Sequence, residues 1–187
     1  LILGGLIFLG VWLNIDDALS LFPAKFQGGR LVVFFIAFSQ LFNVSTGVNG
    51  LIIANSKYYR FDLYSNFMLL CFTLFTNFIF IPSTSPLAAY DIVGINGAAF
   101  ATLLSVFFFN TIKMMFMYWK MGIQPFSIKT LYTVFLLSII YYLSFYIPVT
   151  ENVYFNFLWR SFCVLLLFIP AMYLLNLSKD INQVILD

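Results

Sequence analysis

LVVFFIAFSQLFNVSTGVNGLIIA, residues 31–54, is an apolar run that stops abruptly at the polar stretch NSKYYRFDLYSN, residues 55–66. At about 1.5 Å rise per residue, a helix over Leu31–Ala54 reaches roughly 36 Å, enough to cross the ~30 Å hydrocarbon core of a bilayer. Read outward from there, the chain offers five more apolar segments: Leu1–Leu13, Phe61–Pro82, Ile95–Tyr118, Leu131–Ile147 and Val153–Leu177. Lipid gives the backbone no hydrogen-bond partner, so a spanning segment must satisfy its own amides as a helix. A barrel would need segments of about ten alternating residues, and these runs do not alternate. The expected fold is all-α, a polytopic transmembrane bundle of about six helices.

Composition demands the same solvent. Hydrophobic residues make up 63% of the 187, aromatics 21% and charged residues only 9%, with a mean hydropathy of +0.99. Soluble domains run near half apolar and about a quarter charged. The net charge of +2, spread singly along the chain, is too small for a nucleic-acid partner. The chain has no histidine, which removes imidazole bases, Ser-His and Cys-His pairs and most zinc sites. Cys71 and Cys163 sit inside apolar runs without metal-ligand spacing and read as buried or lipid-facing thiols. There is no P-loop, ligand cluster or nucleophile elbow. Transport fits better than catalysis, and no cofactor is expected. The opening LILGGLIFLGVWL, residues 1–13, is short of a full span and lacks the basic flank of a signal peptide. It reads as the tail of a helix cut at its start, in a fragment of a longer protein.

With six spans the connections alternate between two sides. One side and its flanks carry Lys57, Arg60, Lys113, Lys120, Lys129 and Lys179; the other carries Lys25 and Arg30. Six against two makes the first side cytoplasmic by the positive-inside rule, the carboxy terminus included. Lys57 and Arg60 then mark a tight hairpin, with Tyr58 and Tyr59 at headgroup depth. They either anchor it or touch an anionic lipid or substrate headgroup.

Polar residues inside spans are costly unless they face protein or water. At about 100° per residue, Gln40, Asn43, Gly47 and Gly50 fall within an arc of about 80°, and Asn66, Thr73 and Asn77 within about 40°. The two stripes line a polar cavity or serve as interhelical packing glue. Gly94, Ala98, Ala101 and Ser105 form a small-residue ridge for close helix packing. The following FFFNTIKMMFMYW, residues 107–119, is bulky and expected to face lipid. Arg160 lies well inside the last span. It either snorkels outward or pairs with Glu151, or it serves the cavity. Asp16 and Asp17 read as a solvated loop.

Four stretches in order carry a resemblance: GVNGLIIANSKYYRFDLYSN (47–66), NFIFIP (77–82), GINGAAFATLLS (94–105) and GIQPFS (122–127). From about Phe26 to Ser127 the chain resembles the carboxy-terminal half of bacterial polysaccharide biosynthesis proteins. These are O-antigen and capsule flippases of the multidrug/oligosaccharidyl-lipid/polysaccharide exporter superfamily, which also contains the MATE drug exporters. One departure is that Tyr90 is separated from Gly94 by Asp91, Ile92 and Val93, where the family commonly joins tyrosine and glycine.

The resemblance implies a MATE-like fold of two lobes. Residues 1–118 would supply the last four helices of the second lobe, the first of them truncated. Residues 119–187 would supply two additional helices and a short cytoplasmic tail. It further implies a bacterial inner-membrane protein that flips undecaprenyl-pyrophosphate-linked oligosaccharide, with the bilayer, that lipid and the missing amino-terminal lobe as partners. Gln40, Asn43, Asn66, Thr73, Asn77 and Arg160 become candidates to line the substrate cavity, and Lys57 and Arg60 candidates for the headgroup. A sodium or proton gradient would be a possible drive. A cation-coupled multidrug antiporter of the same superfamily, a membrane assembly protein and a glycan-processing enzyme remain alternatives.

Overall fold

A computed structural model describes residues 1–124, 126–148, 150 and 152–175. Among them there are helices and turns but no strand. The α-helices are α1 (Ile2–Leu13), α2 (Ile15–Ser20), α3 (Arg30–Ser45), α4 (Asn49–Ala54), α5 (Tyr59–Phe80), α6 (Gly94–Met121), α7 (Ile128–Ser144) and α8 (Val153–Leu174). A 3-10 turn over Ala24–Gly29 leads directly into α3.

Four helical stretches are long and apolar enough to cross a membrane: Ala24–Ser45, Tyr59–Phe80, Gly94–Met121 and Val153–Tyr173. Ile2–Leu13 and Ile128–Ser144, two of the six expected spans, form shorter apolar helices. On α5 the outward face is Leu63, Phe67, Leu70, Leu74 and Phe78, each more than half exposed. An apolar face of that length needs a cover other than water.

The chain divides into two compact units. The first takes its described residues from Leu1–Gly28 and Phe126–Asp187, the second from Gly29–Pro125. The opening segment thus groups with the last two helices in the first unit.

The first unit packs α1, α7 and α8 around Leu9, Leu136, Ile140, Val164, Phe168 and Met172. Gly5 lets α1 approach Leu137 of α7 so closely that a β-carbon there would collide with its methyl groups. Asn152 starts α8 by accepting the amides of Tyr154 and Phe155, the usual work of an N-cap side chain.

In the second unit α6 packs against both α3 and α5. Its rings meet theirs along its length: Phe100 with Phe35 and Phe80, Phe107 with Phe42, Phe108 with Phe72, and Phe116 stacked on Phe61 at 3.7 Å. The small-residue ridge is shifted from the expected set. Gly97, Ala101 and Ser105 are buried, whereas Gly94 is exposed and Ala98 only half-buried. Gly97 is the point of closest approach, where a β-carbon would run into the Phe80 carbonyl.

The expected single helix over Leu31–Ala54 is broken. α3 ends at Ser45, α4 starts at Asn49, and Gly47 between them has φ +71°. The ladder stops at Asn43. The Phe42 oxygen still accepts the Thr46 amide at 3.2 Å beside the Ser45 hydroxyl at 2.7 Å. The Asn43 oxygen is taken by the Thr46 hydroxyl at 2.9 Å, and the Gly47 amide turns to Val44. Ser and Thr side chains compete with helix in this way, and glycine accepts the left-handed backbone that results. A hydropathy reading sees only an apolar run and passes over the break.

Candidate functional site

The break gathers a polar set on the inner side of the second unit. Asn110 of α6 is 5% exposed and Thr46 1%. The Asn110 amide donates to Asn43 Oδ1 at 3.2 Å, and its Oδ1 accepts from the Thr46 hydroxyl at 3.2 Å. Three residues further along α6 stands Lys113, 5% exposed. Its Nζ lies 2.6 Å from Asp62 Oδ1 and 4.1 Å from the centre of the Phe109 ring. Asn66 donates to the other Asp62 oxygen at 3.0 Å. Gly50 of α4 completes the surroundings, since a β-carbon there would stand 3.3 Å from the lysine nitrogen. Its neighbour Asn49 is 4% exposed, and its Nδ2 donor has no partner.

The positions follow from local rules. Asp62 occupies the first turn of α5, where the helix dipole favours a carboxylate. Tyr58 and Phe61 pack on Phe116, one turn from Lys113 toward the helix ends. Such an arrangement can hold a charge inside an otherwise apolar unit.

The sequence candidates land unevenly. Gln40 is exposed on α3. Asn43 is exposed yet tied to Asn110. Asn66 is exposed and holds Asp62. Thr73 is half-buried, and its carbonyl accepts from the Thr76 hydroxyl at 3.1 Å. Asn77 is half-buried with its side-chain oxygen unpartnered. The residue that reaches across from this part of α5 is Thr76, whose hydroxyl meets that of Ser105 at 3.2 Å. A cleft of about 140 Å³ nearby is lined by Met68, Leu69, Phe72, Phe108, Phe109 and Ile112 together with Ser105.

Lys57 and Arg60 are exposed. Lys57 lies 5.2 Å from the centre of the Tyr58 ring, and Arg60 donates to the Tyr59 hydroxyl at 3.3 Å. Arg160 belongs to the first unit. It donates to the Leu13 carbonyl at 3.1 Å and to Asp17 at 3.4 Å. Glu151, its expected partner, is outside the described residues. Asp16 and Asp17 lie on helix α2 rather than in a solvated loop, and Asp17 is 17% exposed beside the guanidinium.

Two groups that carry the geometry were misjudged from sequence. Lys113 counts from sequence only as a flank charge and is buried; Asp62 is not among the sequence candidates and is its counterion. The stretch 107–119 is therefore not uniformly lipid-facing: Asn110, Lys113 and Met117 form a buried face within it. Their three- and four-residue steps were the available signal. Among the described residues no group of three or more His, Cys, Asp or Glu is placed to hold a metal ion. Comparison of the chain with family models, with curated proteins and with solved structures returns no match.

Proposed function

We propose that this chain is part of a bacterial inner-membrane transporter that flips undecaprenyl-pyrophosphate-linked oligosaccharide between leaflets. The observation that carries the reading is the helix break at Gly47 beside Asn43, Thr46, Asn49, Asn110, Lys113 and Asp62, inside otherwise apolar helices. Irregular backbone and buried charge inside a membrane are sustained where they serve a pathway, and discontinuous helices mark binding sites in secondary transporters. The order of the four resemblance stretches supports the same family of functions.

In this reading the pyrophosphate and sugar cross through a polar cleft while the prenyl chain stays in lipid. An unpaired pyrophosphate in hydrocarbon would cost on the order of tens of kcal/mol by Born estimates. Gln40, Asn43, Asn66, Thr73 and Asn77 would contribute to that cleft together with residues of the companion lobe. Rocking of the two lobes about the site would alternate access, driven by an ion gradient or by consumption of the product. Lys57 and Arg60 would face the cytoplasm.

One observation favours a second reading. A carboxylate paired with a buried lysine, Asp62 with Lys113, is a feature that a cation-coupled multidrug antiporter would use. The two are separated by reconstituting the full-length protein in liposomes with a fluorescent lipid-linked oligosaccharide. The flippase reading expects the probe to move to the opposite leaflet, measured by its accessibility to an impermeant quencher. Dye transport driven by sodium or protons, without movement of the lipid, would replace it with the antiporter. Movement of neither would overturn both.

A further inference from the structure

The cleft of about 140 Å³ between α5 and α6 is walled by Met68, Leu69 and Phe72 on one side and by Phe108 and Ile112 on the other. Ser105, also in its lining, spends its hydroxyl on the Ala101 carbonyl at 2.8 Å and on Thr76 at 3.2 Å. A buried water needs several polar partners, and these walls present no polar surface. The cleft suits hydrocarbon. An engineered apolar cavity of about 150 Å³ holds a benzene molecule, so this one has room for a stretch of about six chain carbons.

Its place along the helices says which hydrocarbon. The rim is open, with Met68 40% and Phe108 53% exposed. By helix rise Met68 and Phe72 lie about 12 and 18 Å from Arg60, and Ile112 and Phe108 about 10 and 16 Å from Trp119. Phe61, stacked on Phe116, brings those two helix ends together. Half of a ~30 Å hydrocarbon core is about 15 Å, the depth reached by the far part of a lipid tail. The surface from helix end to cleft is continuous. Arg60, Tyr64 and Met68 follow at steps of four on α5, and Trp119, Met115, Ile112 and Phe108 at steps of three and four on α6. Tyr64, Met115 and Trp119 are exposed along it. Lys57 and Arg60 are exposed at the same end, whereas Asp62 is engaged by Lys113 and Asn66. A positive, aromatic-edged end thus stands one leaflet's depth from an apolar cleft.

We propose that this seam binds an anionic phospholipid of the surrounding membrane, with its phosphate at Lys57 and Arg60 and the far half of one acyl chain in the cleft. The lipid is a resident of the fold and not a transported substrate, so the site goes beyond the flippase reading and does not rest on it. Lipid tails are as apolar as leucine, and hydrophobic transfer does not draw the chain in. Dispersion does, because unfilled walls forgo their contacts. The basic pair supplies the preference for an anionic headgroup, and the Arg60 guanidinium can fork onto phosphate oxygens.

The test uses the purified full-length protein in phosphatidylcholine liposomes that carry a small fraction of phosphatidylglycerol brominated in mid-chain. Phe108→Trp places a fluorescent reporter on the cleft rim, and the wild type gives the background of the native tryptophans. Quenching of the reporter is expected at a roughly tenfold lower mole fraction of brominated phosphatidylglycerol than of brominated phosphatidylcholine. Lys57→Gln with Arg60→Gln should remove that preference and leave quenching at high fractions. Leu69→Phe fills the cleft from the α5 wall and Ile112→Phe from the α6 wall. Each is checked for folding by its melting temperature, and each should weaken quenching by both lipids.

Equal quenching by the two lipids, unchanged by the cleft-filling variants, would leave only the ordinary lipid annulus and overturn the site. A reporter that neither lipid quenches would mean that protein covers the cleft, and would overturn it as well. A preference that survives loss of both basic side chains would remove the headgroup from this end and the proposal with it. Flipping is not read in these measurements, so the site and the flippase reading fail separately.

Discussion

Each compact unit holds a basic side chain against a carboxylate far away in sequence, and the two pairs are built differently. In the first unit Arg160 and Asp17 meet at 3.4 Å, with side chains 24% and 17% exposed, and the guanidinium also donates to the Leu13 carbonyl. In the second, Lys113 meets Asp62 at 2.6 Å with the lysine 6% exposed. A guanidinium spreads its donors over several acceptors, so losing one leaves another in place. Among the described residues Lys113 has one anionic partner and an aromatic face. The first pair ties the end of α1 and α2 to α8; the second concentrates charge at a helix break. The same chemistry ties three helices together in one unit and is buried beside a helix break in the other.

The largest expected effect tests that contrast directly. Asp62→Asn should destabilise the full-length protein by ~3–5 kcal/mol because it strands a buried ammonium. Asp17→Asn should cost only about 1–2 kcal/mol, since Arg160 keeps its carbonyl and some contact with water. Chemical denaturation in detergent measures both. Equal losses would erase the distinction between the two pairs.

A smaller effect compares the two glycine contacts. Gly97→Ala drives a methyl into the Phe80 backbone oxygen, whereas Gly5→Ala meets the end of the Leu137 side chain. Backbone does not yield as a leucine tip does. The first change should cost ~1–3 kcal/mol by overpacking and the second less. Melting temperatures of the two variants give the order, and a reversed order would place the tighter contact in the first unit.

The smallest sharpens the break itself. At Gly47 a β-carbon would meet nothing within 4 Å, so Gly47→Ala tests only the backbone at φ +71°. It should cost about 1 kcal/mol. A gain in stability instead would mean that Leu31–Ala54 runs straight as one helix.

Helix class was legible in the sequence because lipid leaves the backbone no alternative and apolar length can be counted. Five of the six segments coincide with single helices to within a few residues, and the sixth contains α3 and α4. The polar stripes were legible as residue types, and Asn43 does reach α6. Their partners were not, because angular position on an isolated helix cannot tell which neighbour it faces. Thr73 and Asn77 shared the expected stripe, yet Thr76 makes the contact to Ser105. Arg160 stood out as an intramembrane charge, and its partner Asp17 lies across a long separation that no local pattern encodes.

Hydropathy and segment length by themselves determined that this chain is helical and built to meet lipid, since both follow from summed transfer energies that depend on composition alone. Only the tertiary structure decided that Lys113 is buried against Asp62, which depends on whether α5 and α6 approach closely enough to exclude water. The break at Gly47 has local causes, the Thr46 hydroxyl and a left-handed glycine, which a count of hydropathy does not weigh. A charge reads as solvated until its neighbours in space are known.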